Sequence, residues 1–203
     1  MPLTLQHAID HLYDVAVRQG KAQSPDRLRI LADYCIQELA ARGIRGAERE
    51  ADIPGGGRSK SWDVAWRYDG KYRLALSLKS ILKNLPGTVP NRIDDLMGEV
   101  ANAQLYSPEI VLGYVMILDV SQDAHSQRHG STWSALLRSR LERLSGRRPP
   151  AWTVGTIEAF AYVEVDFSTS PRLLPTTTDF AAFFDALVQQ VGSRNPNAFQ
   201  DTP

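Results

Sequence analysis

The sequence predicts an α/β fold, a mixed central sheet flanked by helices with a helical pair ahead of it. Three observations carry this. Two stretches with apolar residues at helical spacing come first. A hairpin pattern follows in "WDVAWRYDGKYRLALSLKS". Helical and strand-like stretches then alternate, and one of them, "IVLGYVMILDV", is almost wholly apolar, as a strand covered on both faces would be.

Each element has a local cause. Leu5, Ala8, Ile9, Leu12, Ala16 and Val17 form the stripe of the first helix. The second opens on Ser24 as N-cap with Pro25 behind it and stops at Gly43; Leu28, Leu31, Ala32, Cys35 and Leu39 are its buried side. "IPGGGRSKS" reads as a loop. The hairpin turns at Tyr68-Asp69-Gly70, residues 81–90 form a loop, and a helix runs from about Asn91 to Tyr106. After the apolar strand come the polar loop "SQDAHSQRHGS", a basic amphipathic helix in "TWSALLRSRLERL", a strand in "IEAFAYVEVDF" and a last helix in "TDFAAFFDALVQQV".

The chain has 203 residues and suits one domain, with N-terminal helices over 1–45, a core over 60–170 and a C-terminal helix and tail over 176–203. Hydrophobic residues are 43% and charged residues 23%. With 23 Lys+Arg against 23 Asp+Glu, net charge argues neither for nor against a polyanionic partner. Cys35 is the only cysteine, which excludes an internal disulfide and a Cys-rich zinc site. A cytoplasmic location is expected, since "MPLTLQHAID" has no basic n-region and no stretch approaches the ~18 apolar residues of a spanning helix.

Candidate chemistry sits in the hairpin. "RLALSLKS" alternates, with Leu74, Leu76 and Leu78 on one face and Ala75, Ser77 and Lys79 on the other. A three-residue loop with Gly70 left-handed sets Asp63 opposite Ala75, so that Asp63, Ser77 and Lys79 share a face. Trp62, Val64 and Trp66 then join the leucines. The following helix carries Asp95, Glu99 and Asn102 on one side.

This arrangement resembles the PD-(D/E)XK nuclease superfamily, the fold of most type II restriction endonucleases. Asp63 and the Ser77-Leu78-Lys79 triplet are the matching residues, over roughly Trp62 to Val120. Trp62 stands where the family often has proline, and Ser77 where it usually has an acid. One restriction-enzyme subgroup shows the same S-x-K, with the acid supplied from the following helix; here Glu99 is the choice, with Asp95 and Asp94 as alternatives. The resemblance implies a restriction-endonuclease-like sheet and a Mg²⁺-dependent endonuclease acting on double-stranded DNA, with Mn²⁺ as a substitute ion. It also implies a homodimer and a separately encoded cognate methyltransferase. Asp63, Glu99 and the Leu78 carbonyl would hold the ion, which takes hard oxygen ligands and keeps several waters, and Lys79 would orient the attacking water. The other reading of Ser77 is a nuclease fold that binds DNA or a partner without cutting.

Other stretches carry weaker signals. "PGGGRSKS" fails the phosphate-loop pattern G-x-x-x-x-G-K-[ST] at Pro54 and Ser59; Arg58 and Lys60 in it are candidate DNA-backbone contacts. Arg138 and Arg140, with Arg143, Arg147 and Arg148, form a basic run that suits phosphates or a solvated face. His7 and His11 have ligand spacing without a third ligand, His125, Asp123 and His129 lie in a loop, and Glu38 is an additional acid ahead of the motif.

Overall fold

Strand pairing sets the architecture of this computed structural model, which describes residues 2–175 and 177–199. The last four residues of the tail lie outside the described residues. The elements are α1 (Leu5–Tyr13), α2 (Arg29–Ala41), β1 (Glu48–Ile53), β2 (Lys60–Tyr68), β3 (Lys71–Ile81), α3 (Leu85–Tyr106) and β4 (Val111–Asp119). They continue with β5 (His125–Ser126), β6 (Ser131–Thr132), α4 (Trp133–Arg143), β7 (Ala159–Asp166), β8 (Arg172–Leu173) and α5 (Phe180–Arg194). The main sheet runs β1-β2-β3-β4-β7-β8. β1, β2 and β3 are antiparallel, β3, β4 and β7 are parallel, and β8 returns antiparallel.

Two apolar layers cover the sheet. On one face Leu74, Leu76 and Leu78 pack with α1, α2 and α5, against Ile9, Leu31, Phe184 and Leu187. Full burial of each such leucine is worth about 1.5–3 kcal/mol. On the other face Ala75, Leu112, Tyr114 and Met116 meet α3 and α4 through Leu96, Val100, Leu137 and Leu141. β4 is buried throughout, as its unbroken apolar run requires.

The hairpin corrects the expected register. The turn holds two residues, Asp69 and Gly70, both with positive φ, so Tyr68 pairs with Lys71. That turn alone would send Asp63 to the leucine face. A bulge intervenes: Arg67 pairs with Tyr72 but Trp66 pairs with Leu74, leaving Arg73 as the extra residue. The inserted residue restores the parity. Ala65 then faces Ala75, Val64 faces Leu76, and the same register carried one step further sets Asp63 across from Ser77 rather than Ala75.

Trp62 is a second correction. It packs with Ala51 and Ile53 in the α3-side layer, not with the leucines. Strand β2 turns over at Asp63, because Val64 lies in the opposite layer. Across from Asp63, between the pairs Arg49–Val64 and Ala51–Trp62, Glu50 adopts a left-handed backbone with φ of 54°. Both strands are therefore distorted at the level of the candidate aspartate.

Strand β1 has no counterpart among the sequence expectations. Only Ala51 and Ile53 of "EREADI" are buried, so an edge strand gives almost no apolar signal. α3 starts at Leu85 instead of Asn91. Pro86 falls in the first turn, where no N–H partner is needed, and buried Leu85 and Val89 hold that turn on the sheet despite Pro90. The loop after β4 contains the small β5–β6 hairpin.

Candidate functional site

Asp63 and Glu99 dock on consecutive residues of β3. The Asp63 carboxylate accepts the Leu78 N–H at 2.7 Å, and Lys79 Nζ lies 3.4 Å from the same oxygen. Glu99 Oε1 accepts Ser77 Oγ at 2.8 Å. Ser77 is 2% exposed, and the Glu99 side chain is likewise withdrawn from water. Strand β3 thus presents Ser77 to α3 and Leu78 to the gap beside β2. Both main-chain polar groups of a strand residue face the same edge, so the Leu78 carbonyl is directed to that gap as well.

Lys60 completes the arrangement. Its ammonium donates to Glu99 Oε2, so both Glu99 oxygens are engaged. The buried carboxylate is balanced by a partly exposed lysine at the first position of β2. Lys60, expected as a DNA contact, pairs here with Glu99 as its counter-ion.

The Gly-rich loop is held against α3 by Asn102. Its carbonyl accepts Gly56 N–H at 2.8 Å, its Oδ1 accepts Gly57 N–H at 2.9 Å, and its Nδ2 donates to the Arg58 carbonyl at 2.8 Å. A Cβ on Gly55 would stand 2.0 Å from Asn102 Nδ2, and one on Gly56 2.8 Å from Leu105, which is why glycines occupy this seat. Asp95 is exposed and pairs with Arg92, while Asp94, also exposed, lies with it along the cleft beside Glu99.

Two clefts meet the site from different sides. Asp63 lines one of about 520 Å³ with Leu28, Arg29, Ala32, Arg49 and Glu50. Glu99 and Lys60 line another of about 500 Å³ with Arg58 and Asn102. Two arginines that the sequence offered no means of selecting also belong here. Arg27 reaches Ser80 Oγ at 3.4 Å; burial holds its guanidinium below the usual value, the Arg92 charge adds to this, and the Asp63 charge opposes it. Arg92 Nε is buried with no hydrogen-bond partner among the described residues. Only folding brings residues so distant in the chain to the end of β3.

The donors expected for Mg²⁺ would be two carboxylates and a backbone oxygen, with water for the remainder, and those residue types suit a hard cation. Among the described residues no group of three or more His, Cys, Asp or Glu is placed to hold a metal ion. Each carboxylate is already engaged by a lysine.

The remaining candidates have other partners. Arg138 stacks on Tyr162 and sits 3.7 Å from Glu164, whose carboxyl is raised chiefly by burial. Arg147 is buried against Glu158 at 3.0 Å, while Arg140, Arg143 and Arg148 are exposed, so the basic run is not one continuous patch. Glu38 pairs with Arg42 at 2.7 Å. His7 closes a capping box with Thr4, and His11 contacts Asp26. Asp123 caps the start of α4, and His129 packs edge-on against Trp133.

No protein-family model matches this chain, and a search of characterised proteins finds none similar to it. No helix among the described residues is long and apolar enough to cross a membrane.

Proposed function

We propose that the protein is a Mg²⁺-dependent endonuclease acting on double-stranded DNA, of the restriction or phage-defence kind, working as a homodimer. The observation that carries this reading is the docking of Asp63 and Glu99 on Leu78 and Ser77, with Lys79 beside Asp63. The order helix, antiparallel hairpin, crossover helix, parallel strand supports it, since that is the order the resemblance implies.

A bound Mg²⁺ supplies charge stabilisation at the phosphorane-like transition state and a more acidic water. Asp63, Glu99 and the Leu78 carbonyl would hold the ion. Lys79 orients the attacking water, with Arg27 and Arg92 adding positive charge for the phosphate. Ser77 fixes the rotamer of an acid that arrives from α3 instead of from β3. Two-fold symmetry of a homodimer presents one such site to each strand.

The test is plasmid cleavage with Mg²⁺ by the wild type, Asp63→Ala and Lys79→Ala. Loss in both variants supports the reading; equal cleavage by all three rejects it. Light scattering should give a dimer, at least with DNA present.

A second reading, a nuclease fold that binds DNA without cutting it, is favoured by one observation: each carboxylate carries a lysine and the two line different clefts. It requires salt-sensitive DNA binding with no Mn²⁺ binding in calorimetry.

A further inference from the structure

We propose that Lys60 is a latch on Glu99, released when Lys60 is drawn to a backbone phosphate of the nucleic acid, so that metal and DNA bind cooperatively. This rests on the nuclease reading and adds its regulation.

The geometry points to a latch in three ways. Lys60 holds Oε2 and Ser77 holds Oε1, so a cation approaching Glu99 must compete with the Lys60 ammonium for the same carboxylate. Ser77 is buried on a central strand and cannot leave, whereas Lys60 is partly exposed at the end of the Gly-rich loop. The loop itself is seated by Asn102, one turn beyond Glu99 on the same side of α3. Its three glycines give residues 55–57 the backbone freedom to leave that seat.

The same ammonium can neutralise only one anion at close range. With Lys60 on Glu99, the buried carboxylate is compensated and stable. A phosphate in the Arg58–Lys60 cleft competes for that ammonium. The carboxylate it leaves then needs a new counter-charge, which Mg²⁺ supplies. Linkage makes the effect reciprocal: DNA raises metal affinity by the factor by which metal raises DNA affinity.

The test is calorimetric titration of the full chain with Mn²⁺, and with Ca²⁺ as an ion not expected to support cleavage, with and without a short mixed-sequence DNA duplex. In the wild type, DNA should raise metal affinity about tenfold, a typical coupling. In Lys60→Met, which keeps the apolar stem, metal affinity without DNA should already be raised and DNA should add little. Asn102→Ala, which removes the side-chain bonds that seat the loop while keeping Lys60, should move the same way, and it decides the matter if Lys60→Met does not fold. Metal bound equally by the wild type and both variants overturns the latch and leaves the nuclease reading standing. No metal bound by any of them, with or without DNA, overturns both.

Discussion

Ser77 donates to Glu99 across the gap between β3 and α3, Oγ to Oε1 at 2.8 Å, with both side chains withdrawn from water. Serine therefore leaves room for an acid that comes from the helix. Ser77→Ala strips a partner from a buried carboxylate oxygen and should cost about 1–3 kcal/mol. Ser77→Glu, which sets a second carboxylate against Glu99, should cost more, and the double variant Ser77→Glu with Glu99→Ser should recover part of the loss. Urea unfolding followed by tryptophan fluorescence reads all three; a Ser77→Glu protein as stable as the wild type would contradict this packing.

Asp63 separates activity from stability. Asp63→Asn keeps an oxygen for the Leu78 N–H and removes only the charge. The unfolding midpoint should move little. On the nuclease reading, cleavage with Mg²⁺ should fall roughly a hundredfold or more, as expected when several kcal/mol of charge stabilisation are lost. Matched melting curves and plasmid assays check both parts, and retained cleavage would remove Asp63 from the metal site.

Four buried or half-buried acids weaken the fold in alkali. Tyr34 is pushed up to about 12, first by burial and then by the Glu38 charge. Burial likewise pushes up Cys35, Tyr114 and Tyr162 from their ordinary values of 9.0 and 10.0. The unfolded chain releases these protons first, so the folded state binds more of them above those values. Stability is then fully present below the unfolded values and lost as pH rises from about 9 through about 12. Urea midpoints across that range should fall steadily; a flat profile would show these groups to be solvated.

Tyr114 offers a sharper version. Its hydroxyl is buried with no hydrogen-bond partner among the described residues. Tyr114→Phe should therefore be neutral or stabilising by about 1 kcal/mol, and should flatten the alkaline loss. A clear destabilisation would mean that the hydroxyl has a partner of its own.

Glu158 joins two arginines. Its Oε1 lies 3.0 Å from Arg147 and 2.7 Å from Arg194, its Oε2 accepts Leu112 N–H at 2.6 Å, and all three side chains are almost fully buried. Glu158→Ala leaves two buried guanidinium groups uncompensated and should cost about 3–5 kcal/mol. Thermal denaturation checks it, and a small shift would show that the arginines reach water in the variant.

Much of this was legible from local pattern. The alternation of "RLALSLKS" announced a strand with a leucine core face, and the apolar run of β4 announced a strand covered on both sides. The spacing of Glu99 and Asn102 announced a shared helix face, and both residues do act at β3 and its neighbouring loop. Less visible was β1, whose charges belong to an edge, and the first turn of α3, where prolines read as a loop although packing holds a helix.

What the sequence by itself determined is the α/β class, the hairpin and the candidate acids, because side-chain periodicity and turn chemistry act between near neighbours. The tertiary structure alone decided that a bulge at Arg73 restores the face of Asp63, that β2 turns over beside Glu50, and that Lys60 rests on Glu99. Those outcomes depend on which layers the strands must fill and which charges burial forces together, and residues 39 positions apart carry no mark of that in their local pattern.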